Sequence, residues 1–437
     1  MDPAHYTYDL KNGMKVIIVP RKTSGLAYLS LIMKNGKLDE TKHTLGYTHV
    51  GEHLFAKFTS KKFPRYEGVK GQLGFLGVES NAYTSIYDTG YWLLGNKKHL
   101  PFMMNLLSST FFGYKFTDDW PKQRNIVMEE LKARNSHIWA PLDEEIIKRI
   151  FPNHRLGVSW REELKCVSKA SLRDVLDYNM KKWDPTCTLL LVEGDVEAGI
   201  VLEDLQKYFD HPKPSVNYEQ YAEKIELFKG PVVIRKSIPA SAVTKLLYIY
   251  QLPNMSRFEN KLDASIMMML KYFCSGYYSR LYQLLREKNG LIYGLESEYD
   301  LPPIPDAFPG LLKIEISIDP KHANKVIDII EDEIERLKKF VVPRREMLRI
   351  KNNLQFEKSM EILNRKPGKF AENCAYYIEW DQPVQTFTDY YEELRKVKSR
   401  EIQGVAKRIF KKEHQMIAIG EGEEQKSIKP KSRKTGK

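Results

Sequence analysis

His49, Glu52 and His53 fall in one run, His49-Val50-Gly51-Glu52-His53. The histidines lie four positions apart, so on a helix both imidazoles project from one face. Two imidazoles so placed form half of a site for a divalent metal, zinc above all. Glu52, one position before His53, comes within reach of a water held there. Metal ligands beside a general base are what hydrolysis of an unactivated amide requires. A surface helix with two satisfied histidines is the bland alternative, and a chain of this length meets the pattern by chance at roughly the one per cent level. A third protein ligand decides the matter, because a catalytic zinc takes three and keeps the fourth position open.

The element that must supply that ligand is sought among amphipathic helices. Ile126, Val127 and Leu131 recur at helical spacing, which predicts a helix through Gln123–Arg134, with Pro121 near its start. Glu130 then lies on the stripe side with Gln123 and Ile126, whereas Glu129 points elsewhere. A carboxylate beside a buried stripe is costly unless it is paired or binds a metal. A solvated helix face is the other reading, and the segment alone favours it.

H-x-x-E-H followed by a helical glutamate in a run like E-R-x-V-V-x-E-E-I resembles the pitrilysin-like (M16) zinc metallopeptidases, whose motif is of the inverted kind. The likeness is strongest to the short, processing-peptidase-like (M16B) members. Leu10-Lys11-Asn12-Gly13-Met14-Lys15-Val16 is similar to the family's first strand with its N-G turn, and Gly46 stands where the family's Gly precedes the first histidine. Asn81-Ala82-Tyr83-Thr84-Ser85 resembles its N-A-Y-T strand. His154-Arg155-Leu156-Gly157 resembles its H-P-L-G turn, and Val192-Glu193-Gly194-Asp195-Val196 the V-x-G-D-V that closes its first domain. In the second half, Leu285-Arg286-Glu287-Lys288-Asn289-Gly290-Leu291-Ile292-Tyr293 resembles L-R-E-K-x-G-L-x-Y.

The resemblance implies that His49, His53 and Glu130 bind one zinc ion per chain and that Glu52 is the general base. It implies that Arg286 holds a substrate carbonyl and that Tyr293 donates to the oxyanion. An ordinary helix end with a core tyrosine is the alternative for that last stretch. Substrate is expected to add as an extended strand along Asn81, Ala82, Tyr83 and Thr84. Two positions depart from the pattern. Gln123 replaces a usual glutamate, with modulation expected if that residue orients a ligand from behind. Gly51 replaces a larger apolar residue at about 1 kcal/mol of helix propensity, and close passage of another backbone is the expected reason.

At 437 residues, the chain is too long for one core and suits two domains. The predicted class is α+β: two homologous domains, each an antiparallel sheet covered on one side by helices, forming half of a clamshell. The expected boundaries are a zinc-binding domain over 1–215, a linker over 216–231, a second domain over 232–422 and a basic disordered tail over 423–437. Met267-Met268-Met269 reads as core filler in a helix of the second domain.

No apolar run is long enough to span a bilayer and no signal or transit peptide is visible. The four cysteines, at 166, 187, 274 and 374, show no C-x-x-C spacing, which suggests a cytosol-like, reducing compartment. The formal net charge is +12, part of it in the tail lysines and arginine. No zinc finger, helix-turn-helix or aromatic-basic platform supports a nucleic-acid role, and the tail leaves only weak anionic contact open. The expected partner is a peptide or unfolded polypeptide, with a homodimer completing two sites in trans. A non-catalytic scaffold subunit, or one half of a heterodimeric peptidase, is the alternative.

Overall fold

The computed structural model describes residues 2–116, 119–212, 224–239 and 241–422. Six strands build a first sheet: β1 (Tyr6–Asp9), β2 (Lys15–Pro20), β3 (Leu26–Met33), β4 (Glu79–Thr84), β5 (Thr89–Asn96) and β6 (Thr188–Gly194), in the order β1-β2-β6-β3-β5-β4. Five build a second: β7 (Val232–Ile238), β8 (Thr244–Leu252), β9 (Ile292–Asp300), β10 (Gly310–Ile318) and β11 (Gln415–Gly422), in the order β7-β11-β8-β10-β9. With β1 set aside, the two sheets have one connectivity. In each, the last strand in sequence inserts beside the first as the one parallel pair, and all other neighbours are antiparallel. A parallel neighbour needs a long crossover, and the helices between β5 and β6, and between β10 and β11, supply it. The expected α+β class with two homologous domains is what is found.

The compact units are not contiguous in sequence. One comprises Met1–Ser136, Phe151–Ile225 and Asn352–Arg395, and the other His137–Ile150, Glu226–Lys351 and Lys396–Lys437. The two contiguous halves expected from sequence contain no such exchange of segments. Burial accounts for it. The helix Ala140–Ile150 hides Leu142, Ile146 and Ile150, and Leu142 with Trp139 closes over Gly420 of β11 in the second unit. The helix Lys369–Glu379 lays Phe370, Ala371, Cys374 and Ala375 on Ile17 and Val19 of β2 and Leu189 and Leu191 of β6.

The alternate residues Val16, Ile18, Leu190 and Val192 face a larger core with the helices Leu100–Gly113 and Ala198–Phe209. The first sheet is therefore covered on both faces, where one-sided cover was expected. Its central strands are apolar at consecutive positions for that reason. Met268 and Met269 are fully buried in the helix Asn260–Phe273, as core filler should be. Within the run Leu10–Val16, Asn12-Gly13 is the hairpin turn joining β1 to β2, and Lys15 and Val16 begin β2; Gly13 takes φ +87°, which only glycine adopts freely there. All four cysteines are free thiols. Among the described residues, no helix is long and apolar enough to cross a membrane. The tail over 423–437 and residues 216–223 of the expected linker lie outside the described residues.

Candidate metal centre

The histidine motif folds as the helix Tyr47–Phe55, between β3 and β4. Gly46 opens it at φ +79°, and a Cβ there would stand 2.7 Å from Val167 Cγ2. No N-cap side chain serves the first turn. Glu40 does so from upstream, its carboxylate accepting from the Gly46 and Thr48 amides at 2.9 and 3.0 Å. A carboxylate at a helix N-terminus also meets the positive end of the helix dipole. Burial nonetheless pushes the Glu40 carboxyl up to about 7, against the pull of those amides. Arg155 secures the strap by donating to the carbonyls of Leu38, at 2.7 Å, and of Glu40.

The far side of this helix is apolar. Tyr47, Val50 and Leu54 pack with Val127 and Leu131 of the helix Trp120–Arg134 and with Val167, Ala170 and Val175. Each fully buried aliphatic side chain there contributes about 1.5–3 kcal/mol. Gly51 also lies on this side, and a Cβ on it would collide with the Asn179 carboxamide. The close neighbour is thus a side chain and not the passing backbone that was expected. Asn179 donates to the Tyr47 and Val175 carbonyls, both at 2.9 Å, and so bolts the helix to its neighbour Leu172–Met180.

This packing sets the helix Trp120–Arg134 beside the histidines. Asp119 caps it by accepting from the Lys122 amide at 3.4 Å, and Pro121 sits in its first turn. Its buried stripe is Gln123, Val127 and Leu131, whereas Ile126 is exposed, so the stripe expected to include Ile126 is displaced by one position. Glu130 lies at the edge of the exposed side, its side chain 40% accessible. Its two oxygens stand 3.6 Å from His49 Nε2 and 3.2 Å from His53 Nε2.

Those separations suit a metal. Donors bound tetrahedrally at zinc bond lengths of about 2.0–2.1 Å lie about 3.3–3.4 Å apart. Burial pushes His49 down to about 4 and pushes His53 down as well, so both imidazoles are neutral near pH 7 and offer lone pairs. Glu130 then has the Arg134 guanidinium as its lasting charged partner, at 2.6 Å. His49 Nδ1 is buried and lacks a hydrogen-bond partner among the described residues. Donor atoms of His49, Glu52 and His53 also fall within 4.8 Å of one another, which admits Glu52 as a competing third ligand. Glu52 is already engaged, however, since Thr84 on β4 donates its hydroxyl to Oε2 at 3.0 Å. Burial raises the Glu52 carboxyl above the ordinary range, as suits a base at neutral pH.

The four groups share a cavity of about 400 Å³ with Lys37, Arg134 and Asn81, Ala82, Tyr83 and Thr84 of β4. Among the described residues β4 is an edge strand, paired on one side, to β5. Gln123 is buried in the same helix as Glu130 but does not line the cavity. Arg286 and Tyr293 belong to the second unit. Arg286 Nη1 donates to the Ile292 carbonyl at 2.6 Å, and Tyr293, at the start of β9, is 57% exposed, not a core tyrosine. Glu40 and Asn179 were not singled out from sequence. They act across intervals with no local periodicity, so only the fold reveals them. Arg134 was legible as an i, i+4 partner of Glu130.

Comparison with known proteins points to one family. Residues 15–162 match the family described as Insulinase (Peptidase family M16), and residues 169–354 match the Peptidase M16 inactive domain. A Bacillus subtilis protein named as an uncharacterized zinc protease, YmxG, is 23% identical, the match covering 94% of this chain and 97% of that one. The zinc protease PqqE of Helicobacter pylori is 24% identical over 94% of this chain and 91% of its own. The crystal structure of a protease from Helicobacter pylori superimposes with a TM-score of 0.82 at 22% identity, covering 96% of this chain and all of that one.

Proposed function

From the premise that this chain belongs to the M16 peptidase family, we propose that it is a zinc-dependent endopeptidase with Glu52 as general base. The observation that carries the reading is the placing of both Nε2 atoms against Glu130, with Glu52 across the same cavity. His49, His53 and Glu130 would hold one zinc ion. Zinc, when bound, supplies Lewis acidity that acidifies a coordinated water and polarises a carbonyl.

The chain's own groups do the rest. Thr84 fixes Glu52 Oε2, so Oε1 is left to accept the proton of the attacking water. As the C–N bond breaks, Glu52 returns that proton to the departing amide nitrogen. The open edge of β4 offers main-chain pairing to an extended peptide, which gives affinity without demanding one sequence. Peptides and unfolded segments adopt that conformation, whereas folded proteins do not. By their match to the family motif, Arg286 is assigned to a substrate carbonyl and Tyr293 to the oxyanion. A homodimer, each copy lending these two residues to its partner, extends the same reading.

A quenched fluorescent peptide library tests it. Cleavage that chelator stops, zinc restores and Glu52→Gln abolishes is the expected result. No cleavage by protein holding stoichiometric zinc would replace this reading with a scaffold subunit or one half of a heterodimeric peptidase.

A further inference from the structure

A second cavity, of about 590 Å³, lies wholly within the second unit. Its wall carries Arg280, Lys288, Arg336, Arg345 and Arg349, and one carboxylate, Glu346. Behind it, Glu333 binds Arg280 through both oxygens, Nη2 to Oε1 at 2.7 Å, and also meets Arg336 at 3.5 Å. Glu346 takes Arg349 Nε at 2.9 Å. Two carboxylates thus orient three guanidinium groups, and Arg345 and Lys288 make no ion pair among the described residues.

A solvated cationic face would not be built this way. Arg280 is locked as a planar fork, a geometry that matches oxyanions bidentately. Arg349 Nη2 is buried and has no hydrogen-bond partner among the described residues, an expensive state for a charged donor. The remaining wall includes Tyr272, Leu284 and Pro343, with the ring of Tyr278, 60% exposed, under the Arg349 guanidinium at 5.8 Å. Five cations against two carboxylates leave an excess of positive charge in a small concave volume. Phosphate packs more negative charge into such a space than a carboxylate does.

We infer that this cavity is a binding site for a small polyanion whose charge sits on linked phosphate groups. It shares no lining residue with the His49–His53–Glu130 cavity and does not depend on the chain being a peptidase. The phosphates have two sources, an inorganic polyphosphate or a nucleoside polyphosphate, and Tyr278 is placed to stack on the base of the latter.

Calorimetric titration of the metal-free, full-length protein with inorganic tripolyphosphate tests the inference; metal-free protein keeps the ligand from merely chelating zinc. Saturable binding of one equivalent per chain, weakening as salt rises, is expected. Arg345→Ala, at an exposed position, and Arg349→Ala should each weaken it by about tenfold or more, as loss of a charge-assisted contact does. Glu52→Gln should bind as the wild type does. Tighter binding of ATP than of tripolyphosphate, with the difference lost in Tyr278→Ala, supports the site and identifies a nucleotide. Equal binding supports the site and identifies the inorganic chain. Absence of saturable binding, or undiminished binding by Arg345→Ala and Arg349→Ala, overturns the inference; the latter would place the contact elsewhere, for instance on the lysines of 426–437.

Discussion

In the first unit the helix between β3 and β4 carries Glu52, and Thr84 on the edge strand β4 donates a hydroxyl to it. In the second unit the helix between β8 and β9 carries Asp263, and Tyr299 on the edge strand β9 donates a hydroxyl to it at 2.8 Å. The tie between helix carboxylate and strand hydroxyl is therefore common to both units. What differs is the surroundings. Asp263 is 5% exposed, whereas Glu52 lines a cavity with two imidazoles and a second carboxylate. Both folds supply a carboxylate tied to an edge strand; on the proposed reading, chemistry would come from two histidines on one helix face and from the glutamate brought opposite them.

The largest expected effect breaks that comparison at its carboxylates. Glu52→Gln should lower peptide turnover by about 10²- to 10⁴-fold, the usual weight of a general base. Asp263→Asn should leave turnover unchanged and lower stability by about 1–3 kcal/mol, read by denaturant unfolding.

The next effect tests the Glu40 strap on the helix that carries His49 and His53. Glu40→Ala should weaken zinc affinity by about 10- to 100-fold in chelator competition, as loss of support behind a ligand does. Glu40→Gln should recover part of the loss, because its carbonyl oxygen still accepts one amide.

A third variant tests the bolt. Gly51→Ala should destabilise the first unit by about 1–3 kcal/mol, since the Asn179 carboxamide must move. Gly51→Ala with Asn179→Ala should be less than additive, because the second change removes the obstacle.

The smallest effect is one of pH. Burial, with the Asp88 carboxyl nearby, pushes Glu379 up to about 8. The folded protein then binds more protons than the unfolded chain between the ordinary carboxyl range and that value. Stability from this group is full below about pH 4.5 and is lost as pH rises through about 8. Glu379→Gln should flatten that slope in unfolding curves taken from pH 5 to 9.

Legibility in the sequence followed distance along the chain. His49, Glu52 and His53 were readable because their geometry is set within one turn of helix. The Met cluster of the second unit was local too. Glu130 was not decided by its own helix, which alone favoured a solvated face; resemblance singled it out, and packing of Val127 and Leu131 against Val50 and Leu54 explains its position. The Asn179 contact spans 132 residues and no periodicity announces it. The exchanged segments were hidden for the same reason. An amphipathic helix such as Ala140–Ile150 declares that it will bury a face, not which sheet will receive it.

The division of labour between two carboxylates is the central claim, and metal content after mutation tests it most directly. Zinc should be measured in purified Glu130→Gln and Glu52→Gln after dialysis against a weak competing chelator. Glu130→Gln is expected to lose its zinc and Glu52→Gln to retain one equivalent per chain. Zinc lost from Glu52→Gln and kept by Glu130→Gln would contradict it and make Glu52 the third ligand.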